Sequence, residues 1–160
     1  MVSKRSLIGV VNFGIAIGIL VSTEITYFTR IFNLTSAPEE IEITGNTYRL
    51  ETSLNRDFMP ISPPEGGPLS NIVRIISSDP LKSPTSIDAD RVWVIYGSEI
   101  WEAKFTGEKT PKKENEVLIK TANRGPKWGP GVKVDVIVRI IYDNSQYLLK
   151  ASEQLINKSL

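Results

Sequence analysis

The chain contains neither histidine nor cysteine. Any bond-making chemistry would fall to carboxylates, lysines, tyrosines or serines, because the commonest general base and the commonest thiol nucleophile are both missing. Asp88 and Asp90, two apart in Ser86-Ile-Asp-Ala-Asp90, offer oxygen atoms of the kind Ca²⁺ takes. No calcium-loop spacing surrounds them, and solvation and turn capping in a loop account for them. Glu99 and Glu102 are three apart in a β-type run, which puts them on opposite faces of a strand and not in an acid–base pair. Ser98 follows a glycine, but Tyr96-Gly-Ser-Glu-Ile100 lacks the second glycine of a nucleophile elbow. Gly66-Gly67 and Gly129-Pro-Gly131 have prolines around them and open no helix, so neither makes a phosphate cradle. Zinc, copper and haem lose their usual ligands with His and Cys. The residues therefore predict a non-enzyme with no catalytic group, no metal and no cofactor.

Recognition has more to work with. Trp128 stands among Gly125, Pro126, Gly129, Pro130 and Gly131, a loop with little of its own to bury an indole. Exposed there, it would be a rigid amphipathic anchor for a protein surface or a sugar ring; folded back, it would cap one end of the domain. Lys127 adds a cation beside it. Tyr96 and Trp101 flank Gly97-Ser98 and extend the aromatic character, so the candidate binding surface is Trp128, Lys127, Tyr96 and Trp101. Trp93, on the opposite face of the strand from Tyr96, is expected to fill the core. The charged run Lys109–Lys113 reads as a solvated loop.

These residues need a β-framework to position them. Ile41–Thr44 and Thr47–Leu54 flank Gly45-Asn46, a hairpin signal. Asp57–Ser70 holds four prolines and a glycine pair and must be irregular. Asn71–Ser77 is a strand; Asp79–Ser86 is a loop; Arg91–Tyr96 and Glu99–Phe105 form the clearest hairpin. Val117–Lys120, Val132–Tyr142 and Gln146–Ser152 follow, with Glu153–Leu160 as strand tail or frayed helix. In the longest run, Val134, Val136, Val138 and Ile140 alternate with Lys133, Asp135, Ile137 and Arg139, giving one buried and one mostly polar face. Short strands, Pro/Gly loops and no long amphipathic helix in this part predict an all-β, antiparallel two-sheet domain. From about Ile41 to Ser152 it resembles an immunoglobulin or fibronectin type III β-sandwich in architecture. The disulfide-plus-tryptophan signature of true antibody domains is missing.

The N-terminus has a different character. Lys4 and Arg5 precede an uncharged, mostly apolar run from Ser6 to Thr23, with Tyr27, Phe28, Ile31 and Phe32 beyond it. A basic flank, a run of spanning length and an interfacial aromatic cluster predict one N-terminal transmembrane helix, N-terminus inside. The expected organisation is a cytoplasmic 1–5, a helix and interface over 6–32, a linker over 33–40 and an extracytoplasmic domain over 41–160. A cleaved signal peptide is the competing reading, but no small-x-small site follows the apolar run. Within the span, Gly14 and Gly18 form a small-xxx-small pair and Asn12 is a polar residue that could bond across it, making the three candidates for helix association. The sequons at Asn33 and Asn157 matter only in a eukaryotic secretory setting.

Charge completes the expectation. Lys4, Arg5, Arg30 and Glu24 aside, residues 31–160 hold 16 basic and 17 acidic residues, not the basic excess of a nucleic-acid binder. The composite reading is a membrane-anchored module that binds a protein partner, membrane-resident or a second copy through the helix, as an accessory, assembly or adhesion unit. Two alternatives stand beside it. The plan of apolar helix plus β-domain resembles pilin-like and archaellin-like filament subunits in outline, and the aromatic residues suit a carbohydrate-binding module.

Overall fold

The structure, a computed structural model, describes residues 26, 27 and 29–160. The predicted span, with Asn12, Gly14 and Gly18, lies outside the described residues. Among those that are described, no helix is long and apolar enough to cross a membrane. The chain divides into two compact units, Met1–Ser36 and Ala37–Leu160. In the first, residues 26, 27 and 29–35 are helical, so the helix takes in residues 33–35 of the expected linker. Thr35 and Ser36 end it by bonding back onto it: Thr35 Oγ1 donates to Ile31 O at 2.9 Å, and the Ser36 N–H to Phe32 O at 3.0 Å.

The second unit is all β. Its strands are β1 (Glu40–Ile43), β2 (Asn46–Asp57), β3 (Leu69–Ser77), β4 (Asp88–Tyr96), β5 (Glu99–Lys104), β6 (Gly107–Lys109), β7 (Glu116–Gly125), β8 (Lys133–Tyr142) and β9 (Ser145–Ser159). They form a single curled sheet in the order β5-β4-β8-β9-β2-β3-β7-β6, with β1 also on β2. This differs from the expected immunoglobulin-like pair of separate antiparallel sheets. The strand that joins the halves is β9. Its first part pairs antiparallel with β8, and its end pairs in parallel with β2, Leu54 opposite Ile156 through Asp57 opposite Ser159. Near the end of the β8-paired stretch β9 carries one extra residue against Val134–Val136, and Glu153 takes φ 52°. The Asp135 carboxylate accepts the displaced Glu153 N–H at 2.9 Å. A bulge of this kind bends its strand and sharpens the twist, and here it carries β9 from one half of the sheet into the other. Glu153–Leu160 is accordingly mostly strand, not frayed helix.

The core lies inside the curl and follows the period-2 pattern: Tyr48, Leu50 and Leu54 of β2, Val73 and Ile75 of β3, Val92 and Val94 of β4, Leu118 and Ala122 of β7, and Val134, Val136, Val138 and Ile140 of β8. Trp93 alternates with Val92 and Val94, so it faces away from this cluster. It is buried as expected, as are Ile95 and Ile137, and its indole N–H has no hydrogen-bond partner among the described residues. Lys120, on the core face of β7, reaches across the curl: its ammonium lies 2.9 Å from Asp88 of β4 and 2.7 Å from Glu108, its cross-strand neighbour on β6.

Turn chemistry follows the sequence closely. Gly97-Ser98 joins β4 to β5 with Gly97 at φ 59°, and Asp143-Asn144, at 46° and 60°, joins β8 to β9. The first hairpin turns at Thr44-Gly45, one residue earlier than expected. Asn46 is thereby the first residue of β2, and its buried amide donates to Ser77 Oγ and Asp79 O, both at 2.7 Å. Its amide oxygen accepts from Ser78 Oγ and the Asp79 N–H.

Candidate binding surface

Arg56 organises one end of the sheet. It continues the core row of β2 beyond Leu54, at the position where the strand runs out into the proline-rich loop, and it is only 3% exposed. Its described hydrogen bonds all go to main-chain carbonyls. Nε donates to Gly67 O at 2.8 Å, Nη2 to Glu65 O at 2.6 Å, and Nη1 to both Lys127 O and Trp128 O at 2.9 Å. One buried guanidinium thus holds the β2–β3 loop and the β7–β8 loop together. A planar fork of five N–H donors is suited to gathering carbonyls from several directions.

The β2–β3 loop is closed at its base by Gly67 N–H to Asp57 O at 2.7 Å. Two turns inside it, Ser62 N–H to Met59 O and Gly66 N–H to Pro63 O, both at 2.8 Å, fix its course. The Phe58 ring packs under the Arg56 guanidinium at 5.1 Å and under the Lys158 ammonium at 5.0 Å. Gly66, at φ 81°, backs onto this stack; a Cβ there would lie 2.6 Å from Phe58 Cζ. At the loop's outer side Ile61 is 97% exposed and Met59 46%. A cavity of about 590 Å³ opens beside them, lined by Asp57, Met59, Ile61, Pro63 and Ser159 among others.

The β7–β8 loop is set by a second bulge. β7 carries one extra residue against Leu69–Asn71 of β3, with Arg124 at φ 67°. Gly125 then lies against Leu69 and Trp101, where a Cβ would come within 2.9 Å of each. Trp128 is half-buried and packs against the edge of the core. Its ring is 5.6 Å from Tyr96 at a 55° tilt, and its Nε1–H donates to the Glu99 carboxylate. Lys127 is exposed, with its ammonium 3.1 Å from Glu65 of the neighbouring loop. The Glu65 carboxyl is held below its ordinary range by a backbone hydrogen bond and by Lys127.

The four residues singled out from sequence therefore collect at one end, in two roles. Trp128 contacts Tyr96 and caps the sheet end; Lys127 and Tyr96 are exposed; Trp101 is half-buried against Gly125. Sequence reasoning missed Arg56, Met59 and Ile61. The one signal for Arg56 was its place two residues beyond Leu54, in step with the buried face of β2.

The carboxylates considered for chemistry are engaged elsewhere. Asp88 and Asp90 lie in β4, not in a loop; Asp88 pairs with Lys120 and Asp90 with the Arg139 guanidinium. Glu102 pairs with Arg91, and Glu99 accepts from Trp128. Among the described residues no cluster of acidic side chains could hold a metal ion. No protein-family model, no curated protein and no solved structure matches the chain.

Proposed function

We propose that this protein is a non-enzymatic, single-pass membrane-anchored module whose extracytoplasmic β-domain binds another protein through the loop platform at the Arg56 end. The single observation that carries the reading is the use of a buried guanidinium to hold two loops together, one of which exposes Ile61 and Met59. Loops ordered in advance do not lose that freedom on binding, a saving of roughly 0.5–1.5 kcal/mol for each side chain that would otherwise be immobilised. Exposed aliphatic side chains on rigid loops suit an apolar recess on a partner protein, and Tyr96 and Lys127 add amphipathic and charged contacts beside them. The sheet serves these loops as the sandwich of an immunoglobulin-like domain serves its own, as a stiff frame. The apolar run behind Lys4 and Arg5 supports the tether, which raises the effective concentration of the platform near any membrane-resident partner.

The test is photo-crosslinking in the native cell from position 61, with fractionation and intact mass measured on the same material. A full-length mass in the membrane fraction, with a discrete protein adduct that is lost in Arg56→Met, is the expected result. A soluble product cut near Thr23 would sink the tether. Adducts to lipid alone, or none, would sink the protein-binding platform.

A further inference from the structure

A second surface lies away from the platform, on the β2–β3–β7–β6 half of the sheet. Arg74 of β3 and Ile119 of β7 alternate with core residues there and so face outward. With the β6–β7 loop they line a cavity of about 680 Å³. Four cations border it, Arg74, Lys109, Lys112 and Lys113, against two carboxylates, Glu51 and Glu116; Glu114 of the same loop does not line it. This local excess of +2 sits in a stretch, residues 31–160, with one more acidic than basic residue.

The disposition of Glu116 makes this more than a solvated charge run. Its side chain is 3% exposed, and Oε2 accepts the Lys112 N–H at 2.8 Å and the Lys113 N–H at 3.0 Å. Oε1 lies 3.6 Å from Arg74 Nε, while Arg74 Nη1 donates to Ser53 Oγ at 2.9 Å. The buried carboxylate thus accepts two loop N–H groups and faces Arg74, and it fixes where the loop stands. The ammonium groups of Lys109, Lys112 and Lys113 stay exposed and make no ion pair among the described residues.

We propose that this cavity receives an acidic, extended segment of a partner protein. Its volume falls within the range of built ligand sites of roughly 300–1,000 Å³, room for several side chains and more than a lone oxyanion fills. Its cations come from β3, β6 and the following loop, so they are spread along the cavity and not focused on one point. A nucleic acid would call for basic surface well beyond this patch. The proposal stands or falls independently of the Arg56 platform.

The experiment uses the full chain in non-ionic detergent and a fluorescein-labelled hexaglutamate peptide, read by anisotropy. Lys112→Glu with Lys113→Glu reverses the rim, while their backbone N–H groups remain available to Glu116. Lys82→Glu with Lys133→Glu makes the same change in net charge outside the cavity. We expect binding that weakens with salt, falls about tenfold or more in the rim variant, and changes less than about twofold in the control. No binding, or equal loss in both variants, would overturn the proposal. So would displacement by inorganic phosphate at the peptide's own concentration, or tighter binding of a single-stranded oligonucleotide than of the peptide.

Discussion

At the scale of single residues, Arg56 is the position on which most depends. Replacing it with Met keeps much of the volume and leaves four main-chain carbonyls, of Gly67, Glu65, Lys127 and Trp128, without their donor. A buried polar group left unpaired costs about 1–3 kcal/mol, and relaxation of the loops toward water offsets part of the sum. The expected loss is about 3 kcal/mol, measured by urea unfolding of the full chain, with faster proteolysis inside residues 58–68 as the local sign. Gly66 offers a sharper test of the same cluster. Ala at φ 81° is strained, and its Cβ would press on Phe58, so Gly66→Ala should destabilise by about 2 kcal/mol or more. Gly129 has nothing within 4 Å of an added Cβ. Gly129→Ala should therefore be close to neutral in the same unfolding measurement.

At the scale of elements, the bulges at Glu153 in β9 and at Arg124 in β7 determine what the strands alone do not. β9 bends at Glu153, two residues before its last pair with β8, and joins β2 from Ile156; Glu153 is an exposed side chain whose ion pair with Lys133 spans 3.8 Å. That pair is worth little in water, whereas a non-glycine residue in the left-handed region costs roughly 1–2 kcal/mol. Glu153→Gly should accordingly stabilise the fold by about 1 kcal/mol, read as a higher midpoint with an unchanged urea slope. Destabilisation would mean that the Glu153 side chain carries a contact worth more than the strain. Neither bulge was visible as a pattern. Alternation and turn residues revealed β1 to β5, β8 and the starts of β7 and β9, because those signals act within a few residues. β6 is only three residues long, and Gly107-Glu108-Lys109 has no apolar alternation. It is a strand because β7 offers it a pairing edge.

At the scale of the whole molecule, charge pairs set the response to pH. Asp90 is held below its ordinary pKa by its hydrogen bond with Arg139, and Glu116 by the N–H groups of Lys112 and Lys113. Each is lower folded than unfolded, so ionisation favours the folded state. The stability this adds is present above the ordinary carboxylate range and is lost as pH falls below about 4 and through the lowered values. Lys120 has the opposite sign. Burial opposes its charge, but Glu108 and Asp88 more than offset that and raise its pKa. Its contribution persists at neutral pH and fades only as pH rises through the raised value, in strong alkali. Melting temperature followed from pH 7 downward should fall steeply at the acid end, and Asp90→Asn with Glu116→Gln should flatten that limb. An unchanged limb would place the acid sensitivity elsewhere.

By itself the sequence determined that the chain from about Ile41 onward is β-structure, where most of its strands and hairpins fall, and that aromatic residues punctuate the hairpin and loop near residues 96–101 and 128. Those are consequences of short-range physics: period-2 alternation, the φ values that glycine, asparagine and aspartate tolerate, and the absence of His and Cys. Tertiary structure decided that the strands make one curled sheet and not two. It also buried Trp93 on the face of β4 turned away from the main core cluster, and it brought two loops, with Glu65 and Lys127 62 residues apart, onto one guanidinium. Those outcomes depend on which strand pairs with which, on where a single extra residue bends a strand, and on which buried donor meets which carbonyl. Arg56 reads in sequence as the polar end of a strand, and only the closed fold makes it the centre of the platform.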